Sequence, residues 1–438
     1  MTLSFNPPVF EDPARDSFET SLWHETAIAA PRYPKLSGRQ EAEVVVIGSG
    51  YTGLSAAIDL AAQGKDVVVL DAREPGFGAS GRNGGQVIPA FKYDPDGIAK
   101  VYGEELGEAV LDMVSKTADV VFDLVRRFDI ACDPRQTGWI QAAYGSSGID
   151  KVKSRHRQWQ QRDAPVELLE RDELARQTGT GLYPLGVLFR NGGTVQPLSY
   201  ARGMAIAAAS IGARIFADSM VRAIEPDPSG WRVSTAEGSV TAARVIIATN
   251  GYNTPIWPGL RESVVPLYSM QIASPPLPPE LRRQVLPIVE AMADTRRLVW
   301  YFRKDRDHRF VIGSRGPFKA RPSESDARTL VEAACKLFPA LRGTAFPYRW
   351  AGRVAMTTDQ IPHLHQLAPG VFAALGCNGR GVGMGTMMGK ILAAAAMGAE
   401  RQVLPYPVSE LHPIPFHAFH RVGVHAMITC YRMLDQFS

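Results

Sequence analysis

Residues 43–71, EVVVIGSGYTGLSAAIDLAAQGKDVVVLD, decide the fold. Residues 44–47 are a short β-branched run, which predicts a buried parallel strand. The apolar residues between positions 54 and 61 have helical spacing, and residues 67–70 predict a second buried strand that ends at Asp71. Strand, glycine-rich turn, helix and strand together form a βαβ unit with a phosphate-binding turn.

The turn between the first strand and the helix has the spacing G-x-G-x-x-G. Gly48 permits the tight turn, Gly50 lets the backbone approach a pyrophosphate, and Gly53 lets the helix pack close to the strand. The helix N-terminus offers N–H groups and the positive end of its dipole to phosphates. Asp71 lies near the spacing, about 20 residues, of the acid that binds a ribose hydroxyl. We therefore predict dinucleotide binding, and a carboxylate here disfavours NADP.

Composition limits the partners and the compartment. The chain has 438 residues, 45% of them hydrophobic and 21% charged, which predicts a soluble protein of at least two interleaved domains. A net charge of +4 without a basic run argues against nucleic acid. No apolar run is long enough for a transmembrane segment, and the N-terminus has no apolar core of a signal peptide. The cysteines are scattered, which favours the reducing cytoplasm.

Metal binding is not predicted. His417 and His420 stand three residues apart, but no carboxylate or cysteine stands at ligand spacing from them. The cysteines form no C-x-x-C pair. We interpret the histidines as ordinary surface residues.

Two further segments are rich in glycine. Residues 76–85 contain five glycines and follow directly after the strand that ends at Asp71. So many glycines exclude a stable helix or central strand and favour close approach of the backbone to a ligand. A strand that ends in A-T-N-G at residues 248–251 returns the chain to the cofactor edge of the sheet. Further along the chain, residues 376–385, GCNGRGVGMG, form a second strand-to-helix turn. We expect this turn to offer a second helix N-terminus to the ligand.

Other elements follow from periodicity and composition. Residues 103–128 predict one long amphipathic helix, and the charged residues 151–176 predict two exposed helices. Residues 220–224 predict a strand, and residues 264–273, 298–302 and 309–313 predict strands of a second sheet. Residues 1–40 are rich in proline and predict an arm across the surface, in which Trp23 packs.

The order of these parts resembles the superfamily of FAD-dependent amine and D-amino-acid oxidases, and within it the gamma-glutamylputrescine oxidoreductases. The resemblance rests on GFGASGRNGGQ at 76–86, RWAG at 349–352, TDQIP at 358–362 and GCNGRGV at 376–382, beside the first glycine turn. It implies an α/β (α+β) fold with a Rossmann-like FAD-binding domain, assembled from discontinuous segments, and a substrate domain on a large mixed β-sheet. The implied division is an N-terminal arm at 1–40, an FAD-binding domain at 41–92, 190–260 and 350–405, a substrate domain at 93–189 and 261–349, and a C-terminal helical tail at 406–438.

The resemblance also implies a set of cofactor-binding residues. FAD is expected to be non-covalent, because the glycine-rich loop has no histidine and Cys377 does not stand where sarcosine oxidases link their flavin. The implied contacts are Gly48, Gly50, Tyr51, Thr52, Gly53, Asp71, Ser80, Arg82, Asn83, Gly84, Gly85, Gln86, Val221, Asn250, Gly379, Gly381 and Val382.

The implied reaction is hydride transfer from the carbon beside an amine to the flavin, followed by hydrolysis of the imine. Such chemistry depends on orientation and desolvation rather than on a nucleophile, so no Ser/His/Asp set is expected. Tyr268, Tyr301, Arg303 and Arg349 are the predicted substrate-side residues, since an arginine can bind a carboxylate bidentately.

Several alternatives stay open from the sequence. The substrate is a small amine or amino acid: a gamma-glutamylputrescine-like compound, or alternatively glycine, sarcosine or a D-amino acid. Residues 309–313, which match the strand with an oxygen-activating lysine in sarcosine-type relatives, contain no lysine. The lack of this lysine argues against fast reaction with O₂, and the acceptor stays open between O₂ and a quinone or other carrier. A non-catalytic flavin-binding protein is another class, and an NAD-dependent dehydrogenase is disfavoured by the two extra glycine-rich segments.

Overall fold

The computed structural model describes residues 21–436, so residues 1–20 of the predicted arm lie outside the described residues. The α-helices are α1 Leu22–Thr26, α2 Tyr51–Ala62, α3 Pro95–Tyr102, α4 Glu104–Ser115, α5 Thr117–Arg127, α6 Gly145–Gln160, α7 Arg171–Thr178, α8 Pro197–Ser210, α9 Pro279–Arg282, α10 Glu324–Leu337, α11 Gly381–Ala396 and α12 His420–Gln436.

The strands are shorter and more numerous. They are β1 Gly38–Ile47, β2 Val67–Leu70, β3 Gln86–Val87, β4 Trp139–Ala142, β5 Val166–Glu170, β6 Leu185–Phe189, β7 Gly193–Thr194, β8 Arg214–Phe216, β9 Ala223–Asp227, β10 Gly230–Ser234, β11 Gly238–Ile247, β12 Val265–Pro276, β13 Ala291–Asp294, β14 Tyr301–Lys304, β15 Arg309–Arg315, β16 Tyr348–Met356, β17 His363–Ala368, β18 Val371–Leu375 and β19 Val408–Ser409. No described helix is both long and apolar enough to cross a bilayer.

The first sheet is built around the opening βαβ unit. Its strand order is β19-β17-β18-β11-β1-β2-β8, with β10 paired to β11 and β9 paired to β10. β1 pairs in parallel with both β2 and β11. The last four residues of β1 and all of β2 are buried, as expected for strands covered on both faces. The predicted strand–turn–helix–strand unit therefore forms the centre of this sheet.

The second sheet has eight strands in the order β16-β12-β15-β14-β13-β4-β6-β5. Most neighbours are antiparallel, but β13 and β4 are parallel, so the sheet is mixed. Residues of α10 pack with those of β12, β14 and β15 in a second apolar core. A large mixed sheet beside a nucleotide-binding sheet confirms the predicted fold class.

Both sheets draw on separated parts of the chain. β16 pairs along β12, so the predicted domain boundary at residue 350 falls inside a strand of the second sheet. β19 lies in the predicted C-terminal tail and pairs with β17 of the first sheet. The division into an FAD-binding and a substrate domain remains a proposal, with the sheets as its natural cores.

Three local predictions were wrong in part. The expected helix at 103–128 breaks at Lys116, where the hydroxyls of Ser115 and Thr117 donate to the carbonyls of Asp112 and Val114 and compete with the helical pattern. The segment 151–176 does contain two helices, α6 and α7, but the strand β5 lies between them, because residues 166–170 pair with β6. The strand expected at 220–224 begins instead at residue 223 and pairs with β10.

The described part of the N-terminal arm is not only on the surface. Trp23 of α1 is fully buried and packs edge-on against Trp350 of β16, with ring centroids 5.6 Å apart. Its Nε1 donates to the carbonyl of Asn83 at 2.8 Å. The arm therefore supports the glycine-rich loop 76–85, in agreement with the packing role expected for Trp23.

Candidate active site

One large cavity lies between the two sheets, where β1, β2 and β18 end. Its volume is about 840 Å³, within the range of roughly 300–1,000 Å³ typical of small-molecule sites. Both glycine-rich turns, the loop 76–85 and the inner face of the second sheet line it. Of the predicted site residues it brings together Gly48, Gly50, Tyr51, Thr52, Asp71, Ser80, Arg82, Asn83, Gly84, Gln86, Val221, Asn250, Tyr268, Tyr301, Gly379, Gly381 and Val382.

The first glycine turn has the close contacts that its sequence predicts. Gly48 has φ +104°, and a Cβ there would lie 2.8 Å from the carbonyl oxygen of Ala248. A Cβ on Gly53 would lie 1.9 Å from the carbonyl oxygen of Gly48. Gly53 does not line the cavity, and its role is to let α2 pack against the turn. Gly50, at the N-cap of α2, has no side chain that could cover the helix N-terminus.

Asp71 stands at the end of β2 and braces the turn. Its Oδ2 accepts hydrogen bonds from the backbone N and the Oγ of Ser49, both at 2.6 Å, and its Oδ1 accepts one from the backbone N of Arg73 at 2.9 Å. Burial raises the pKa of this carboxyl, and the hydrogen bonds from Ser49 and Arg73 oppose that shift. A carboxylate has about four acceptor positions, so a ribose hydroxyl can still bind here.

The loop 76–85 is held by its own polar side chains. The Nδ2 of Asn83 donates to the Tyr51 hydroxyl at 3.0 Å and to the Ser80 carbonyl at 2.9 Å. The Ser80 hydroxyl accepts a hydrogen bond, at 3.0 Å, from the backbone N of Tyr51, which is the first residue of α2. Arg82 is buried, and its Nε donates to the carbonyl of Phe77 at 2.9 Å. These side chains fix the loop above the first turn, so its backbone faces the cavity in a defined shape.

The end of the loop meets the second sheet. A Cβ on Gly84 would lie 3.0 Å from the ring of Tyr301, and Gly85, at φ +65°, lies against the carbonyl of Val195 and outside the cavity lining. Gln86 accepts from the indole of Trp139 at 2.8 Å and donates to the carbonyl of Phe302 at 3.0 Å. Gln86 therefore ties the loop to two strands of the second sheet.

The second glycine turn brings another helix N-terminus to the same cavity. The side chain of Asn250 accepts from the backbone N of Gly376 at 2.9 Å and donates to the sulfur of Cys377 at 3.3 Å. Asn250 thus joins the end of β11 to the turn after β18. α11 begins at Gly381, and no side chain caps it. Gly389 lets α11 approach α2, because a Cβ there would lie 2.4 Å from the carbonyl of Thr52.

Tyr268 and Tyr301 form part of the wall contributed by the second sheet. The Tyr301 hydroxyl lies 2.7 Å from the Oγ of Ser269, and the Tyr268 hydroxyl accepts from the Nε of Arg353 at 3.0 Å. Burial raises the pKa of Tyr301, so its phenol stays protonated at neutral pH. Both tyrosines can orient a ligand by hydrogen bonding.

The other two predicted substrate residues lie elsewhere. Arg303 is buried and does not line the cavity; its Nη1 donates to the carbonyls of Gly85 at 3.1 Å and Val195 at 2.6 Å. Arg349 lies opposite Ile272 in the β12–β16 pairing and also does not line the cavity. The structure therefore gives Arg303 a structural role in holding the loop.

Sequence reasoning missed several residues of the cavity wall. Gln271 is 1% exposed, its Nε2 donates to the carbonyl of Arg82 at 2.5 Å, and its Oε1 has no partner among the described residues. A group of basic residues also lines the wall: Lys92, Lys151, Arg155 and Arg380. Gln271 lies on a predicted strand, and the alternation of side chains between the two faces of a strand could have predicted that it points inward. The basic group comes from three distant segments and had no local signature.

The residues of this site fit FAD. The N-cap residues of α2 and α11 place no side chain over their helix N-termini, which can receive a pyrophosphate, and Asp71 can accept from a ribose hydroxyl. The Oε1 of Gln271 is a buried acceptor without a hydrogen-bond partner among the described residues. Such an atom destabilises the fold unless a bound group donates a hydrogen bond to it.

Comparison with known proteins agrees with this geometry. Residues 43–395 match the DAO family model, described as FAD dependent oxidoreductase. The chain is 32% identical over 386 residues to the gamma-glutamylputrescine oxidoreductase of Escherichia coli, covering 86% of this chain and 90% of that protein. It is 31% identical over 382 residues to a probable oxidoreductase, OrdL, of Haemophilus influenzae, covering 85% and 86%.

Among solved structures, glycine oxidase from Geobacillus kaustophilus matches with a TM-score of 0.71 and 20% identity, covering 85% of this chain and 99% of that one. At this identity the likeness concerns the fold alone. Together these matches confirm the predicted superfamily, its enzymatic class and its cofactor, FAD.

Proposed function

This chain belongs to the DAO family of FAD-dependent oxidoreductases, the class that acts on amines and amino acids, and on that premise we propose that it oxidises a gamma-glutamylputrescine-like amine. The substrate loses a hydride from the carbon beside its free amine and a proton from the nitrogen. Water then converts the imine to an aldehyde and releases ammonia. The proposed substrate comes from the Escherichia coli relative.

One observation carries the proposal. A single cavity joins the two glycine-rich turns to the wall that contains Tyr268, Tyr301 and Gln271. A cofactor held at the turns therefore shares one cavity with a small molecule held at the wall. This shared cavity can hold the reacting carbon in line with the cofactor, and such orientation is a main requirement of this chemistry.

The chain's own residues bind and orient the substrate and the cofactor. The Tyr301–Ser269 pair and the Tyr268–Arg353 pair supply hydroxyl groups that can hold the amine end of a substrate in its neutral form. When bound, FAD supplies the acceptor for the hydride. Backbone N–H groups at the N-terminus of α11 favour negative charge on a group bound beside them.

We propose that FAD is bound without a covalent link. The loop 76–85 has no histidine, and Cys377 is engaged by the side chain of Asn250. Acid precipitation of the purified protein should leave the yellow colour in the supernatant. A flavin that stays with the precipitated chain would contradict this part of the proposal.

The proposed compartment is the reducing cytoplasm, because Cys132, Cys335, Cys377 and Cys430 are all free thiols. The proposed electron acceptor is O₂ or a quinone or other carrier. No contact with nucleic acid is proposed.

The experiment is an anaerobic absorbance titration of the purified holoenzyme. Gamma-glutamylputrescine is added first, then sarcosine, glycine and D-alanine. We expect gamma-glutamylputrescine to bleach the oxidised flavin band, and readmitted air then separates an oxidase from a dehydrogenase. Bleaching only by glycine, sarcosine or D-alanine would replace the substrate, and a yellow protein that no amine bleaches would favour a non-catalytic flavin-binding protein.

A further inference from the structure

The cavity wall carries a large excess of positive charge. Among the described residues, ten arginines and lysines line it, against two aspartates, Asp71 and Asp294. Asp71 braces the first glycine turn, and Asp294 forms a buried ion pair with Arg296. Asp94 and Asp435, which lie outside the lining, pair with Arg155 and Arg297, but the cations stay in excess even when these carboxylates and the pyrophosphate of FAD are counted. A second anion is therefore expected in the cavity.

Four of the cations converge at one end, here called the cationic end: Lys92 before α3, Lys151 and Arg155 on α6, and Arg380 at the N-cap of α11. Lys151 and Arg155 stand four residues apart on one helix face. Like charges in that relation repel, so this arrangement costs stability unless an anion is present.

The two arginines are held in place by protein acceptors. Arg155 is 1% exposed and forms an ion pair with Asp94 and a hydrogen bond with Gln141. Arg380 donates to the carbonyl of Ala90 at 3.1 Å and has its guanidinium carbon 5.8 Å from the Trp139 ring centroid. They provide a fixed positive field rather than mobile surface charges.

The two lysines are accessible from the cavity. Both line it and keep a large accessible surface, and neither ammonium group has a hydrogen-bond or ion-pair partner among residues 21–436. Confinement by protein lowers the pKa of Lys92 to about 8, with Arg380, Lys151 and Arg155 adding to the shift. Partial desolvation by the surrounding cavity wall also lowers the pKa of Lys151, and the nearby Arg155 adds to this shift. An anion placed between the lysines would oppose both shifts.

We propose that Lys92 and Lys151, with Arg155 and Arg380 behind them, bind a carboxylate group of the substrate at a distance from its reacting amine. This inference rests on the proposed function and deepens it, since it defines the substrate class as a carboxylate-bearing amine. In a gamma-glutamyl amine the glutamyl carboxylate occupies the cationic end. A plain diamine such as putrescine is repelled from it.

The test uses an anion that cannot react. Glutarate is titrated into the holoenzyme at low ionic strength, with the flavin spectrum and isothermal calorimetry as readouts, and glutaramide serves as the uncharged analogue of the same length. We expect glutarate to bind, glutaramide not to bind, and the dissociation constant for glutarate to rise about tenfold in both Lys92→Gln and Lys151→Gln. Lys153→Gln is the matched control, because Lys153 lies on the same helix but does not line the cavity.

The outcomes separate this inference from the proposed function. Glutarate binding needs no turnover, so it can succeed even if no amine reduces the flavin. Absence of glutarate binding, or equal binding by wild type and both variants, would overturn the cationic end as a carboxylate site. A fall in affinity in Lys153→Gln equal to that in Lys92→Gln would also overturn it, because the effect would then be one of net charge. Unchanged melting temperatures establish that the accessible lysine variants fold.

A kinetic measurement distinguishes carboxylate binding by Lys92 and Lys151 from a purely structural role, because a structural role would not raise KM for one substrate alone. With gamma-glutamylputrescine, both lysine variants should raise KM while leaving kcat near the wild-type value. With N-acetylputrescine, which has the same free amine and no carboxylate, the variants should not raise KM. Equal effects on both substrates would contradict the assignment.

Discussion

The two sides of the cavity are built in different ways. On the nucleotide side, defined by the turns 48–53 and 376–381, glycines and backbone groups make the surface, and the closest approaches are between backbone atoms. On the substrate side, defined by the second-sheet wall and the cationic end, side chains from distant segments make the surface. Backbone geometry is encoded by short motifs, whereas side-chain convergence depends on the whole fold. The first side therefore indicates the cofactor, and the second determines the substrate.

The largest effect is expected on the nucleotide side. Gly53→Ala places a Cβ 1.9 Å from the Gly48 carbonyl oxygen, so α2 must move away from the turn. We expect FAD affinity to fall by about 100-fold, which corresponds to about 3 kcal/mol of overpacking. The flavin content after dialysis and a fluorescence titration with FAD measure it.

Gly181→Ala is the matched control, because a Cβ there has nothing within 4 Å. Wild-type FAD content in Gly53→Ala would show that close packing of α2 on the turn is not needed for the cofactor. It would also weaken the contrast between the nucleotide side of the cavity, which backbone groups form, and the substrate side, which side chains form.

A smaller effect is expected at the second-sheet wall. Tyr301→Phe removes the hydroxyl that lies 2.7 Å from Ser269 and keeps the ring against Gly84. We expect the rate of anaerobic flavin reduction to fall about tenfold, since one hydrogen bond that orients the substrate is lost. FAD content should not change. A variant that loses FAD and keeps its reduction rate would place Tyr301 on the nucleotide side.

The cationic end should respond to pH through Lys92. Its pKa is about 8, and the groups that face it are Lys151, Arg155 and Arg380, with Asp94 paired to Arg155. Lys92 is charged below this pH and neutral above it, so the affinity for glutarate should fall severalfold as pH rises through about 8. Isothermal calorimetry at pH values from about 6.5 to about 9.5, which lie on both sides of that pKa, measures it. A pH step of the same size in Lys92→Gln would assign it to another group.

The smallest effect is expected at Arg349. It was predicted to contact substrate, but it does not line the cavity. Arg349→Gln should change the KM for gamma-glutamylputrescine less than about twofold, as is usual for substitutions outside a binding site. A large rise in KM would return this arginine to the substrate side.

The sequence predicted the features that short motifs specify better than the features that depend on contacts between distant residues. The turn at 48–53, the acid at Asp71 and the second turn near Gly379 were predictable, because short-range spacing specifies a backbone shape. The break at Lys116 was missed because apolar periodicity does not show the hydroxyl-to-carbonyl hydrogen bonds of Ser115 and Thr117, and the strand β5 was missed because its pairing partner β6 lies further along the chain. Arg303 was predicted to lie on the substrate side, but it does not line the cavity and instead donates to the backbone of the loop. Its acceptor at Val195 could not be inferred from a strand pattern.

The cationic end could not be predicted at all. Lys151 and Arg155 were interpreted as part of a solvated, charged helix, which is the common role of such residues. Only the packing of α6 beside the segment before α3 and the N-terminus of α11 turns one face of that helix toward the cavity. The nearest pair of segments is separated by about 60 positions along the chain, so no local pattern contains this information.

The most direct test of the account compares two substrates in one rapid-mixing experiment. Wild-type holoenzyme is mixed anaerobically with gamma-glutamylputrescine or with N-acetylputrescine, and the loss of the oxidised flavin band is followed over a range of concentrations. The account predicts similar limiting rates and a half-saturating concentration about tenfold lower for the carboxylate-bearing substrate. Equal half-saturating concentrations, or no bleaching by either compound, would contradict it.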